Sequence, residues 1–360
     1  MNKIDFRFAL GILLLLGYTL TQSACKKEDD PVVLDPTVLD CDYFKQARVL
    51  TADDRPVHYR IDCQMEASAD ITIEAGVVIV FSDGAGIEVS ENGSLSINGT
   101  ATQNVKLTRL EGTAWKGLLY NSDDSKNKIE HCEISYAGSS SFNSNGDKAA
   151  VTVWADAKLT MNHVAIKNSS AYGLSAVYTN SNFTINNTQI TDCANAPVVI
   201  LPSYMGKMNT SNTHASNTNN YVEVQINTDE IKESMAWAML DVPYRVTSNY
   251  NDFDFLKIAK GVVQVTEAIQ IEFDAGTGLF IGSDGGLDLS STTDKALFTG
   301  VTKQAGSWKT VYFQFTQAAN RLDNLVIEYA GNTYDGSQQA IGLWDNPKLS
   351  LSNVEFKNIT

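Results

Sequence analysis

The chain has 360 residues, 43% of them hydrophobic, and carries 27 Lys and Arg against 42 Asp and Glu, a net charge of −15. That apolar content is enough for a buried core and excludes a disordered chain. An acidic surface without any basic patch of interleaved aromatics repels phosphate, which excludes nucleic acid as a partner. No long stretch beyond the N-terminus repeats apolar residues three and four apart, so helix is expected to be a minor component.

Lys3 and Arg7 precede an apolar run over residues 9–16, and small residues lead to Ser23-Ala24-Cys25. This is the layout of a secretory signal, and the run is shorter than the roughly 20 residues a membrane-spanning helix needs. The Ser-Ala-Cys step resembles a bacterial lipobox, with Gln22 where an apolar residue is commoner, and Lys26-Lys27-Glu28-Asp29-Asp30 resembles the export tag of surface lipoproteins of Bacteroidota. The resemblance implies removal of residues 1–24 as a lipoprotein signal peptide, lipidation at Cys25 and attachment to the outer membrane by that anchor, exposed on the cell surface; several acyl chains make such attachment stable. Without residues 1–24, which hold Lys3, Arg7 and Asp5, the chain keeps 25 basic and 41 acidic side chains, a net −16. Residues 25–56 are expected to be a tether followed, from 41, by a segment capping the end of the fold.

A duplication organises the remainder. ISYAG at 134–138 returns as IEYAG at 327–331, AVTVW at 150–154 as AIGLW at 340–344, and VHYRI at 57–61 as VPYRV at 242–246. A shorter motif recurs inside each copy, with Ile129, Cys132 and Ile134 matching Met161, Val164 and Ile166, then Ile185, Thr188 and Ile190, then Leu322, Leu325 and Ile327, then Leu351, Val354 and Phe356. The last two residues of each triplet alternate as in a strand with one buried face, and the gap before them is a bend. His131, His163, Asn187, Asn324 and Asn353 occupy the same bend slot and are expected to form a polar ladder. Ile166 to Ile190 is a step of 24 residues, and the 32 from Ile134 to Ile166 include a Gly/Ser/Asn-rich loop at 138–146. Such periodic units stack as a solenoid. ITIEAGVVIVF at 71–81 and GSLSINGTATQNVKLT at 93–108, with IQIEF and GLFIGSDGGLDL in the second copy, resemble the right-handed parallel β-helix family of bacterial secreted and surface proteins. That resemblance implies an all-β fold of two tandem units, 57–225 and 242–360, joined by a connector at 226–241. Residues 201–220 are expected to form a loop, and 231–240 a short helix or edge element. The second copy stops at Thr360, where the first runs on, so either the gene is truncated or the last coil is open and prone to self-association at its edge.

Cys41, Cys63, Cys132 and Cys193 form an even set in a compartment that permits disulfides. Register places Cys132 and Cys193 two turns apart, about 9–10 Å at one strand spacing per turn, beyond the roughly 7 Å a disulfide tolerates. Cys41 and Cys63 flank the first turn and are a candidate bridge.

The β-helix fold selects no chemistry by itself. There is no HExxH pair, no Cys/His cluster with zinc spacing and no GxSxG elbow, and no metal site or cofactor is expected. Asp83-Gly84 and Asp284-Gly285-Gly286 could meet calcium but read better as turn formers. His131 and His163 read as ladder members, and Arg60 and Arg245 as braces of the first strand of each copy. Each copy carries the same aromatic residues: Trp115 and Trp308, Trp154 and Trp344, Tyr136 and Tyr329. Aromatic faces stack on sugar rings, yet rings at equivalent coils also fill a solenoid. Trp154, Trp344, Tyr136 and Tyr329 are therefore the candidate glycan-binding residues, provided the two tryptophans share one groove. The expected function is a non-enzymatic binding or scaffold lipoprotein for extracellular polysaccharide or another surface component, with a polysaccharide-degrading enzyme or an adhesive rod as alternatives.

Overall fold

The computed structural model describes residues 35–143, 146–248, 254–290, 294–314, 320–334 and 336–360. The expected signal, the expected lipidation site Cys25 and the first part of the expected tether lie outside the described residues, as do parts of the loops at 138–146 and 331–339. Every pairing between strands is parallel, and the chain winds as a parallel β-helix. In the first copy three stacks of strands run along the axis. One joins Arg48–Leu50, Asp70–Glu74, Ser94–Asn98 and the leading parts of Lys128–Ser135 and Lys158–Lys167, ending at Asn182–Asn186. A second joins Thr37–Leu39, Tyr59–Ile61, Val78–Phe81, Val105–Arg109 and the trailing parts of the same two long strands, ending at Gln189–Thr191. The third joins Gln64–Ala67, Gly86–Val89, Gly117–Tyr120, Ala149–Val153, Tyr172–Ala176, Val198–Ile200 and Val222–Ile226.

The repeated triplets are stacked in register. Ile129, Cys132 and Ile134 pair with Met161, Val164 and Ile166, and Leu322, Leu325 and Ile327 with Leu351, Val354 and Phe356. The bend between their two halves is a left-handed residue: His131, His163, Asn187, Asn324 and Asn353 all have φ between 44° and 54°. Asn is among the few side chains that tolerate this region. The slot thus selects polar residues for backbone reasons first. Their contacts follow: the His131 and His163 rings stack at 4.5 Å, and Asn353 Nδ2 donates to Asn324 Oδ1 at 2.6 Å. Asn187 departs from the ladder and donates to Asn162 Oδ1.

The two copies form one continuous solenoid. Val222–Ile226 pairs directly with Tyr244–Ser248, and Met235–Trp237, inside the expected connector, is a strand paired with Val263–Val265. The segment at 226–241 is itself a coil. A further difference from expectation lies in how the copies are phased. Tyr59–Ile61, Val78–Phe81 and Val105–Arg109 belong to the second stack of the first copy. Their counterparts Tyr244–Ser248, Gln270–Phe273 and Ala296–Gly300 instead continue its third stack. The second copy is therefore rotated by one face about the axis. Its repeat is otherwise faithful. Phe81 stacks on Trp115 at 3.9 Å and Phe273 on Trp308 at 4.3 Å; the indoles donate to the carbonyls of Ser135 and Glu328. Both tryptophans are fully buried and fill the core.

Residues 201–220 are less of a loop than their composition suggests. A 3-10 helix, Pro202–Lys207, opens the segment, and its asparagines then lie across the edges of Asn182–Asn186 and Gln189–Thr191 as a strand would. Asn212 accepts from the Thr188 N–H and donates to the Ile185 carbonyl, while Asn217 accepts from the Cys193 N–H and donates to the Ile190 carbonyl. At the N-terminal end Leu39, Phe44 and Leu50 cover the first coil, and a disulfide joins Cys41 to Cys63. Cys132 and Cys193 are free and buried, and burial pushes the Cys193 thiol up to about 12. In the last coil Leu351 and Phe356 keep the register of Leu322 and Ile327 yet are 50% and 47% exposed, since no described coil covers them.

Replacing Asn217 by Ala strands two buried backbone groups and is expected to cost about 1–3 kcal/mol. Asn187→Gly, at an exposed left-handed position, should cost less than about 1 kcal/mol. Urea denaturation of the two variants checks the difference.

Candidate functional site

The rotation of the second copy lays four of its strand segments in a stack of their own. They are the leading parts of Phe255–Val265 and Gly278–Leu289, followed by Val311–Gln314 and Ile341–Trp344. Leu256, Ile258, Leu279, Ile281, Val311 and Phe313 point into the core and are fully buried. By alternation the next residues face outward, and there the sequence is aromatic. Lys257, Phe280, Tyr312 and Gly342 form one outward row, with Phe255 opposite Gly278 in the row beside it.

Two glycines make room for these rings. A Cβ on Gly278 would lie 2.7 Å from the Phe255 ring, and one on Gly342 would lie 2.4 Å from the Tyr312 ring. The rings therefore lie down over bare backbone. Phe280 stacks on Tyr312 at 5.4 Å and 18°, while Tyr334 meets Tyr312 edge-on at 5.0 Å and Phe255 at 4.7 Å. Tyr312 is buried beneath its neighbours; Phe255, Phe280 and Tyr334 remain partly open. Charges border the rings. Lys257 Nζ meets Glu230 Oε1 at 2.5 Å, and Lys309 pairs with Asp254 while sitting 5.4 Å from the Phe255 ring and 5.6 Å from the Tyr334 ring. A cavity of about 480 Å³ opens between Asn227, Asp229, Glu230, Asp254, Phe255 and Tyr334. A second, of about 630 Å³, shares Asp229 and Glu230 and extends to Asn182, Tyr204 and Lys207. Together they make a furrow along the axis, across the strands.

The aromatic residues expected from the sequence are placed differently. Tyr136 and Tyr329 are left-handed corner residues, the first under the Arg109 guanidinium at 3.9 Å. Trp154 leans on Tyr178 at 3.7 Å. Trp344, 53% exposed, stands two residues beyond Gly342 on the furrow's own stack. Trp154 and Trp344 share no groove: they lie on stacks one face apart with seven to eight coils between them, on the order of 35 Å. Tyr334 corresponds to Phe142, which lies by Lys116 as Tyr334 lies by Lys309, whereas Phe255, Phe280 and Tyr312 were missed because they have no counterpart in the first copy, whose equivalent strands hold Gln64, Glu66, Glu88 and Leu119. Their only signal is aromatic residues at the outward parity of FLKI, GLFI and VYF.

The histidines do not converge. His58 Nδ1 accepts from the Val78 N–H, and the buried His214 meets Asp241 at 2.9 Å. Among the described residues no three His, Cys, Asp or Glu side chains gather as metal ligands. A polar cluster on the third stack braces the junction of the copies. Glu223 accepts from Tyr172 Oη at 2.8 Å and Thr247 Oγ1 at 3.0 Å, and Arg245 pairs with Glu272 at 2.6 Å while covering the Tyr221 ring at 3.7 Å. Burial raises Glu223 above the usual carboxylate range, and it raises Asp147 and Asp274 likewise. Glu223 is occupied within the brace, and Asp147 accepts from Ser175 Oγ at 3.0 Å.

No family model matches the chain, and no curated protein matches it. Among solved structures it is similar to the alginate lyase from Paenibacillus sp. str. FPU-7, at 12% identity over 82% of this chain and 99% of that one, with a TM-score of 0.24. A likeness of that degree bears on neither the site nor an activity. Fold and site together define a parallel β-helix carrying an aromatic, ion-paired furrow.

Because its folded pKa is raised, Glu223 adds nothing unfavourable while protonated, and stability falls as pH rises from about 4.3, the ordinary glutamate value, through the raised one. Glu223→Gln is therefore expected to raise the melting temperature at pH 8 by on the order of 2 °C and to do little at pH 4. Calorimetry at the two pH values measures it.

Proposed function

We propose that this chain is a surface lipoprotein that binds extracellular glycan without cleaving it, the contact being the furrow over Phe255, Phe280 and Tyr334. The observation that carries the reading is the pair of glycines, Gly278 and Gly342, over which outward rings lie flat against the sheet. Water-facing rings at this density are unfavourable unless something covers them, and the C–H face of a pyranose does so while its hydroxyls reach the bordering charges. Cleavage needs an acid or base free to move a proton; Glu230 and Asp254 are each committed to a lysine and Asp229 accepts from the Ser203 N–H, which favours binding without cleavage. The acyl anchor at Cys25 would hold the furrow at the cell surface.

Phe255→Ala and Tyr334→Ala are each expected to weaken glycan binding about tenfold, equivalent to roughly 1.4 kcal/mol. Trp154→Ala, on another face, should leave it unchanged. Affinity electrophoresis in polysaccharide-loaded gels compares them; equal losses in all three would remove the furrow as the site. For the anchor, Cys25→Ala should abolish incorporation of labelled palmitate and release the protein from the membrane fraction.

A further inference from the structure

Resting on the furrow reading above, we infer that its ligand is an uncharged, hydroxyl-rich glycan chain several sugars long, and not a polyuronate or a sulfated polymer. Three of the furrow's four lysines already face a carboxylate. Lys257 is paired with Glu230, Lys232 approaches the same carboxylate at 3.8 Å, and Lys309 is paired with Asp254 beneath the Phe255 and Tyr334 rings. Lys207 faces Asn182 and the Phe183 ring.

Carboxylates and lysines balance along the furrow: Asp229, Glu230, Glu233 and Asp254 against Lys207, Lys232, Lys257 and Lys309. A polyanion would have to displace these internal pairs on a protein already net negative. A neutral sugar has no such conflict. Its hydroxyls can donate to the carboxylate and accept from the ammonium of a standing pair, while its apolar face covers a ring. Length follows from the winding. From Asn182 through Lys207, Glu230 and Lys257 to Phe280 there are four steps between coils, about 19 Å at one strand spacing each. That extent suits an oligosaccharide lying along the axis and is wasted on a single sugar.

The test is isothermal titration of the full mature chain with oligosaccharides of matched length: uncharged β-glucan, mannan and xylan; polyanionic alginate, polygalacturonate and a sulfated galactan; and cationic chitosan. Each is run at 20 and 300 mM NaCl, with Tyr334→Ala and Lys257→Gln alongside and near-UV circular dichroism confirming that the variants fold. The expected result is binding of at least one uncharged chain, changed less than twofold by salt and weakened about tenfold by Tyr334→Ala. Binding of a charged polymer that needs Tyr334, falls more than tenfold between the two salt concentrations and, for a polyanion, is lost in Lys257→Gln would overturn the uncharged class and leave the furrow as the site. Binding indifferent to Tyr334→Ala, or none across the panel, would overturn the furrow and this inference together.

Discussion

Everything in this fold depends on one geometric constraint: each coil must present its inward side chains at the same places as the coil beneath, because parallel backbone pairing fixes the register residue by residue. Ile134, Ile166 and Ile190 sit directly over one another, and so do Phe298, Ile327 and Phe356. A one-residue slip would turn a whole row of such side chains to water. The left-handed residue within each repeated triplet serves the same constraint. It breaks the strand's alternation at a fixed point, so that Cys132 and Ile134 can point inward although Ile129 already does so at the other parity.

The constraint also governs how the duplicated halves join. Continuity requires only that the next strand pair with the last one; it does not require that like follow like. Val222–Ile226 accepts Tyr244–Ser248 because both offer buried apolar residues in matching register, Val222 against Tyr244 and Val224 against Val246, although the two belong to different faces of the repeat. The brace of Tyr172, Glu223, Thr247 and Arg245 stands where this change of phase occurs. Along the two remaining edges, side-chain amides of Asn212 and Asn217 stand in for a regular strand. The partly buried ionisable groups of the brace fix geometry more than they add stability, since their desolvation opposes their hydrogen bonds.

Architecture was legible in the sequence to the extent that it repeats. The triplets around Cys132, Val164 and Leu325, the bend slot from His131 to Asn353 and the equivalence of Trp115 with Trp308 all rest on local spacing, which one chain displays openly. The rotation of the second copy was not legible. It depends on which strand of one copy meets which strand of the next, a non-local fact that identical motifs cannot encode. For the same reason Trp154 and Trp344, identical in sequence context, end on different faces. The asparagines of 201–220 read as loop because their composition is that of loops; only the stacked edges of Asn182–Asn186 and Gln189–Thr191 turn their amides into strand substitutes.

Internal duplication separates two demands on the same scaffold. Residues kept in both copies, such as Phe81 and Phe273 beneath their tryptophans, satisfy packing, because every coil must fill the same cross-section at interior density. Outward positions are free of that demand, and there the copies diverge: Glu66, Glu88 and Leu119 in one row, Lys257, Phe280 and Tyr312 in its counterpart. Divergence toward large rings on a solvent face runs against solubility and against the acidic character of the rest of the chain. One of the two glycines extends that divergence to the backbone itself: Gly342 replaces the Thr152 of the first copy and leaves the very space the Tyr312 ring occupies, whereas Gly278 keeps the glycine of Gly86. A change in the side chain matched by a change in the residue beside it marks a built surface, and in a duplicated solenoid it is found by looking for what the second copy does not share with the first.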